Sequence, residues 1–257
     1  MRITVLGCGS SAGVPLIGCE CAVCCSDNPK NQRSRVSVLV ENLEKKLLID
    51  ASPDLRLQAL RHGITRVDAV LFTHEHADHT HGIDDLRSFN HSTNADLPVY
   101  GDTRTLQSLT QRFDYAFKGK PKHGWFRPSL APMTIPDGNV VRFSAAGLDV
   151  VAFTQVHGKT TSLGFRIGDF AYSTDTNELP DTAFEALQGT RCWVVDCLKY
   201  EPSFSHSHLD RTLAWIARIK PQRAVLTHMT HDFDYERLAA ELPDGIEPGY
   251  DGLILDL

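Results

Sequence analysis

The sequence predicts an α/β protein of the α+β kind, with two packed sheets and helices outside them. Short β-rich segments recur through both halves of the chain, and each ends in polar or turn residues. Helical segments occur singly between them, which favours separate layers over a strict βαβ alternation. A length of 257 residues with an apolar share of 42% suffices for one large domain. Because no linker or internal repeat is evident, we predict a single domain over residues 1–257.

The predicted strands are apolar, β-branched runs bounded by turn residues. They are 2–7, 36–41, 46–50, 68–73, 148–155, 170–174, 192–196, 224–227 and 253–257. The predicted helices carry apolar residues at helical spacing, as Leu209, Leu213, Ile216 and Ile219 do on one face of 208–219. They are 53–62, 79–90, 103–117, 181–188, 208–219 and 233–242. The basic, aromatic loop 118–128 is expected at the surface, as an interface, a lid or a plain connection.

The composition excludes several classes of protein. The longest purely apolar runs are too short to span a bilayer, and the N-terminal segment lacks the apolar core of a signal peptide, so we expect a cytoplasmic protein without membrane contact. Seven cysteines, an odd number, argue against a disulfide framework. A net charge of −6 argues against a long nucleic acid as partner. A small anionic substrate stays compatible, because local metal ions can outweigh the overall charge.

The densest chemical signal is THEHADH at 73–79, directly after the apolar run DAVLF. A buried strand that ends there releases four metal-competent side chains into one tight loop. His74 and His76 are two residues apart and can point the same way, while Asp78 and His79 open the next helix at another angle. The motif therefore predicts two adjacent metal sites, because a solvated histidine-rich turn would not need these four residues in this order.

Three more candidate ligands end separate apolar runs. They are His157 after LDVVAFTQV, Asp175 after FAYST and His228 after RAVLT. Ligands at the tips of several strands are typical of an enclosed site, since rigid elements position the ligands while loops close around them.

With these motifs the chain resembles the metallo-β-lactamase superfamily over nearly its whole length. The resemblance implies a four-layer αββα sandwich with a dinuclear site between the sheets at one edge. It implies one metal on three histidines, a second metal on three further residues and a carboxylate bridging both. These are His74, His76 and His157 for the first, Asp78, His79 and His228 for the second, and Asp175 for the bridge. Histidine at position 76 argues against the oxygen-reducing di-iron branch, and Asp175 argues against antibiotic hydrolysis. Zn²⁺, Mn²⁺ and Fe²⁺ all suit these ligands.

The two metals imply a hydrolase. Cations about 3.5 to 4 Å apart can share a bridging hydroxide and clamp the oxygens of an ester or phosphodiester during in-line attack. An acid for the leaving group is either His206 or His208, and the resemblance prefers His206. We expect Asp78 and His206 to be the catalytic residues. Asp50, at the end of KLLID, either orients a metal-bound imidazole or caps the following helix.

A second candidate metal site lies in GCECAVC at 18–24. The spacing of Cys19, Cys21 and Cys24 suits a thiolate knuckle whose fourth ligand comes from elsewhere. In LTHMTH, His231 follows His228 by three residues, where the turning chain can reach the knuckle. Four protein ligands would make a structural zinc site, closed to substrate. An iron–sulfur cluster and three free or buried thiols are the alternatives.

The knuckle, the opening GCGSSAGVP and LTHMTH together resemble the PhnP-like branch, which contains the phosphoribosyl cyclic phosphodiesterases. The resemblance implies a structural zinc on Cys19, Cys21, Cys24 and His231, and a homodimer. It implies a phosphodiesterase that acts on small cyclic or nucleotide-like phosphodiesters. The alternatives are a thioesterase or lactonase of the same fold, and a non-catalytic carrier resembling the B protein of pyrroloquinoline quinone biosynthesis.

Overall fold

The computed structural model describes residues 1–124 and 126–257, and within them the strands form two seven-stranded sheets. Trp125, in the basic loop, lies outside the described residues. The first sheet contains β1 (Arg2–Gly7), β2 (Ser37–Asn42), β3 (Lys45–Ile49), β4 (Ala69–Leu71), β5 (Leu97–Gly101), β6 (Leu130–Thr134) and β14 (Leu253–Asp256). The second contains β7 (Val140–Ala145), β8 (Leu148–His157), β9 (Thr160–Ile167), β10 (Phe170–Ser173), β11 (Cys192–Asp196), β12 (Arg223–Thr227) and β13 (Ile246–Pro248). The strand orders are β14-β1-β2-β3-β4-β5-β6 and β13-β12-β11-β10-β9-β8-β7.

The helices cover the outer faces of the sheets, and the helix predicted over 103–117 ends earlier, at Arg112. They are α1 (Leu55–Arg61), α2 (Ala77–Thr80), α3 (Arg87–Thr93), α4 (Thr103–Arg112), α5 (Asp181–Leu187), α6 (Leu209–Ile219) and α7 (Tyr235–Glu241). Short 3-10 segments span Pro29–Asn31, Ile83–Leu86 and Asp114–Phe117. Helices α1 and α4 contact the first sheet, whereas α5 and α7 contact the second. Among the described helices, none has the length and apolar character needed to cross a membrane.

Alternation along the strands explains the layers. Leu47 and Ile49 on β3 join the cluster between the sheets, which also contains Trp193 of β11. Leu48, between them, joins a second cluster with Leu106 of α4. Side chains of a strand point alternately to its two faces, and each such buried aliphatic side chain contributes about 1.5–3 kcal/mol. The predicted four-layer arrangement, two packed sheets with helices on both outer faces, is confirmed.

The prediction of one helix over 79–90 was wrong. The chain forms α2, a separate 3-10 segment and α3 instead. Gly82 interrupts the helix because its backbone N–H donates to the carbonyl of Ala51, 2.9 Å away. A Cβ at this position would overlap the carbonyl oxygen of Ser52. Helix formation at Gly82 is therefore overridden by packing against the chain that follows β3.

The strand ends position the candidate site. Strands β3 and β4 are parallel, as are β10, β11 and β12. The carboxyl ends of parallel strands lie at the same edge of a sheet, where α/β proteins place their sites. Asp50, Asp175 and His228 follow β3, β10 and β12, with φ values of 61°, 53° and 59°. Left-handed backbone is strained for such residues and is concentrated at functional sites.

Candidate metal centre

The seven predicted active-site ligands lie in two adjoining clusters at this edge. One cluster contains His74, His76, His157 and Asp175, and the other contains Asp78, His79, His228 and Asp175. Within each cluster the ligand atoms all lie within 4.8 Å of one another. His76 is exposed whereas the other ligands are buried, so the clusters open to solvent on the side of His76.

Asp175 belongs to both clusters through different oxygens. Its Oδ1 lies 3.1 Å from Nε2 of His79 and 3.3 Å from Nε2 of His228. Its Oδ2 lies 3.6 Å from Nε2 of His74 and 3.5 Å from Nε2 of His157. A carboxylate in this position can serve as a ligand on both sides. Asp175 would therefore be shared if each cluster held a cation.

Hydrogen bonds behind the clusters orient the imidazoles. Nδ1 of His79 lies 2.7 Å from Oδ2 of Asp50, and the same oxygen accepts from the Thr73 hydroxyl at 2.8 Å. Thr73 Oγ1 lies 3.0 Å from Nδ1 of His74. These partners occupy Nδ1 of each ring, so Nε2 is the nitrogen that faces the cluster and is placed to bind a metal. The structure thus places Asp50 behind an imidazole, not at the helix cap, which is Asp54.

The chemistry of the donors fits divalent cations. Nε2 of His74 and Nε2 of His79 are buried and have no hydrogen-bond partner among residues 1–124 and 126–257. An unpartnered buried polar atom costs about 1–3 kcal/mol, which a metal ligand avoids. Burial lowers the pKa of His74 well below its ordinary value, so that its lone pair is free. Burial also opposes protonation of His79, but the carboxylates of Asp175, Asp78 and Asp50 outweigh it and raise its pKa. This excess of negative charge favours a bound cation.

His206 lies beside the clusters, and Asp196 orients it. Nε2 of His206 is 3.8 Å from Oδ2 of Asp175, and its Nδ1 is 3.1 Å from Oδ2 of Asp196. Burial would lower the pKa of His206, but Asp196 and Asp175 raise it to about 9. A histidine that keeps its proton near neutral pH suits a proton donor. Of the two candidates, the structure brings His206 to the clusters, while His208 precedes α6 as its N-cap.

Sequence reasoning missed Asp196. The signal was present, because Asp196 ends the apolar run CWVVD as Asp50 ends KLLID. Nothing in the sequence tells which imidazole such a carboxylate meets, since His206 is ten residues away in a loop. Besides His206, Oδ2 of Asp196 accepts from the backbone N–H of Thr176 at 2.8 Å. Asp196 therefore also holds the segment that follows Asp175.

Replacing Asp196 with asparagine is expected to lower kcat/KM about 10- to 100-fold with unchanged metal content, because Nδ1 of His206 loses its carboxylate. Steady-state kinetics and elemental analysis measure both quantities. Since Asp196 acts through His206, the double variant with His206→Ala should be no slower than His206→Ala alone. His208→Ala serves as the control and should retain activity. Fully additive losses would contradict this role.

The cysteine knuckle forms a separate cluster. Its members are Cys19, Cys21, Cys24 and His231, with all four ligand atoms within 4.8 Å of one another. Nδ1 of His231 lies 3.4 Å from Sγ of Cys19 and 3.3 Å from Sγ of Cys21. The hydrogen bond with His231 lowers the pKa of Cys21 to about 6, which favours the thiolate that binds zinc. Cys25 is not a member of this cluster. The four ligands together suit a closed tetrahedral site.

Arg33 connects the knuckle region to the loop after β12. Its side chain is 1% exposed and donates to the backbone oxygens of Thr230 at 3.0 Å and Phe233 at 2.8 Å. Thr230 lies between His228 of the active site and His231 of the knuckle. Arg33 therefore braces the loop that both clusters share.

The chain is similar to known proteins in sequence and in structure. A family model described as the beta-lactamase superfamily domain matches residues 45–229, a range that contains all seven candidate ligands but not the knuckle. A diphosphatase of the PhnP family with a known crystal structure is 36% identical, with a TM-score of 0.90, and the match covers 100% of this chain and 97% of that one. The chain belongs to the metallo-β-lactamase superfamily and to its PhnP branch. The predicted membership is confirmed.

Two other similar proteins differ in how much of their length the chain covers. An octanoyltransferase of Porphyromonas gingivalis is 37% identical over 256 residues, covering 98% of this chain. The chain spans about half of that relative's length, 51%. Zn²⁺-bound PqqB from Methylobacterium extorquens is 21% identical with a TM-score of 0.79, and the match covers 100% of both chains. At that identity the likeness shows a common fold.

Proposed function

We propose that this protein is a metal-dependent hydrolase, and specifically a phosphodiesterase that acts on small cyclic or nucleotide-like phosphodiesters. The observation that carries the proposal is Asp175, whose two oxygens face two different ligand clusters. Paired sites of this kind suit phosphoryl transfer, where charge develops on both the attacking and the leaving oxygen. The PhnP-family relative is described as a diphosphatase. A diphosphate is an anhydride and not an ester, but its hydrolysis also proceeds by attack of water on phosphorus.

The residues have distinct parts in the proposed reaction. His74, His76 and His157 would hold one cation and Asp78, His79 and His228 the other, with Asp175 shared. Bound Zn²⁺, Mn²⁺ or Fe²⁺ would activate a water molecule and neutralise charge on the phosphate oxygens. His206 would donate its Nε2 proton to the leaving oxygen. Asp196 would accept a hydrogen bond from Nδ1 of the same ring and so stabilise the charged imidazole.

Hydrolysis of a thioester is the second candidate. Its support is the 37% identity to the octanoyltransferase, a name that denotes acyl-group chemistry in a protein about twice as long. Because the chain spans 51% of that relative, the name alone does not assign acyl chemistry to this half. A non-catalytic carrier role is less favoured, since a carrier needs neither His206 nor its carboxylate partner Asp196.

A direct comparison of substrates tests the proposal. Protein stripped with a chelator and reloaded separately with Zn²⁺, Mn²⁺ or Fe²⁺ is assayed with bis(p-nitrophenyl) phosphate and with octanoyl-coenzyme A. We expect metal-dependent diester cleavage with kcat/KM at least about 10-fold above that for the thioester, because two cations clamp phosphate oxygens in particular. Loss of the activity in His76→Ala excludes a contaminating enzyme. Faster turnover of the thioester, or full activity in His76→Ala with unchanged metal content, would refute the phosphodiesterase.

A further inference from the structure

An exposed aromatic side chain lies next to the candidate centre. Phe204 is 70% exposed, in the loop between β11 and α6, two residues before His206. A single exposed apolar residue is common on protein surfaces, so the position of this ring beside the centre is what distinguishes it. The mechanism proposed above gives Phe204 no part.

The backbone on both sides fixes the position of the ring. A Cβ on Gly158 would lie 2.8 Å from Cε1 and 3.2 Å from Cδ1 of Phe204, so the edge of the ring rests on the Gly158 backbone. Gly158 directly follows the candidate ligand His157. The next residue of the loop, Ser205, accepts a hydrogen bond from Nδ1 of His157 through its carbonyl at 2.7 Å. Phe204 is therefore held at the rim of the centre, on the side of His157 and His206.

This side of the centre faces the leaving group in the proposed reaction. The rings of His157 and His206 have centroids 4.9 Å apart, and His206 would protonate the leaving oxygen. A group attached to that oxygen would leave the centre beside His206, on the loop that also carries the Phe204 ring. An aromatic side chain at the edge of a phosphate site offers a flat apolar surface on which a base can stack.

We infer that Phe204 is a stacking platform for a planar group, a nucleobase, carried on the leaving-group side of the substrate. This inference rests on the proposed function and sharpens its substrate class to nucleotide-derived diesters. Phe204 determines specificity and takes no part in bond cleavage. Base stacking on one aromatic ring corresponds to about a 5- to 100-fold gain in affinity.

Two matched pairs of ligands test the inference. For turnover, adenosine 2′,3′-cyclic phosphate is compared with methyl riboside 2,3-cyclic phosphate, which has the same reacting bond and no base. For binding, adenosine 5′-monophosphate is compared with ribose 5-phosphate by calorimetry on the metal-loaded protein. In each pair, Phe204→Ala should lower the preference for the ligand with a base about 5- to 10-fold. Phe204→Trp, which keeps a flat ring, should preserve that preference.

Phe126 provides the matched control, because it is equally apolar, 66% exposed and part of another loop. Phe126→Ala should leave both preferences as in the wild type. An equal loss for both ligands of a pair in Phe204→Ala would overturn the inference, as would a loss in Phe126→Ala of the same size. A change from dimer to monomer in Phe204→Ala, with the base preference intact, would assign the ring to a subunit contact instead. If neither diester is cleaved, the proposed function fails, and the binding pair still decides the role of Phe204.

Discussion

Replacing Asp175 with asparagine is expected to lower kcat/KM for a phosphodiester about 10³-fold or more and to reduce the active-site metal content from two ions to one or none. The carboxylate faces Nε2 of His79 and His228 with one oxygen and Nε2 of His74 and His157 with the other. An amide offers one neutral oxygen, so it can serve one cluster at most. Paired cations stabilise the transition state by several kcal/mol, and each 1.36 kcal/mol is tenfold in rate.

Asparagine is the appropriate replacement because it tolerates the φ of 53° at position 175, where alanine would add backbone strain. Asp169→Asn provides a matched control, since Asp169 immediately precedes β10 whereas Asp175 follows the opposite end of that strand. Its carboxylate is half exposed and pairs with Arg191. The control should retain both metals and full activity. Two bound metals together with near-normal turnover in Asp175→Asn would remove the bridging role.

The candidate site was predictable because its ligands come at strand ends, four after β4 and one at the end of each of three other strands. Each of the seven residues lies in or directly after a motif that ends an apolar run, and the structure brings all seven together. Their role as metal ligands stays a prediction. The sequence could not predict which residues hydrogen-bond to the ligand imidazoles from behind. Asp50 had two possible roles, and only the pairing of β3 with β4 brings it to Thr73 and His79.

The fold was less completely predictable where packing overrides local pattern. Strand β9 contains Thr160, Thr161 and Ser162 and does not read as an apolar run, yet Ser162 is buried. Its hydroxyl satisfies the carbonyl of Asp175 at 2.8 Å, a contact made across the sheet. Buried polar residues of this kind hydrogen-bond to the backbone of the site. Their polar sequence pattern is therefore similar to that of a loop.

A substitution in the cysteine knuckle is expected to have the second large effect, on zinc content and stability. Cys21→Ser is expected to remove one tightly bound zinc ion per chain and to lower the free energy of unfolding by about 3 kcal/mol, or the melting temperature by about 6–12 °C. The reason is that Cys21 and Cys19 contact His231 although they are 210 and 212 residues away from it in the sequence. Without zinc, the contacts among these side chains are weak hydrogen bonds. Elemental analysis and thermal unfolding at a fixed protein concentration measure the two effects.

Cys25→Ser is the control, because Cys25 is exposed, adjoins the knuckle and is absent from its ligand cluster. It should keep the zinc and the stability of the wild type. Activity in Cys21→Ser should fall only about 2- to 10-fold. The effect reaches the active site through the loop from His228 to His231. Arg33 still donates to the Thr230 carbonyl in the middle of that loop and limits its movement. A Cys21→Ser protein with wild-type zinc content and stability would show that the knuckle is not a clamp. A loss of activity as large as that of Asp175→Asn, with both active-site metals in place, would instead make the knuckle part of the catalytic machinery.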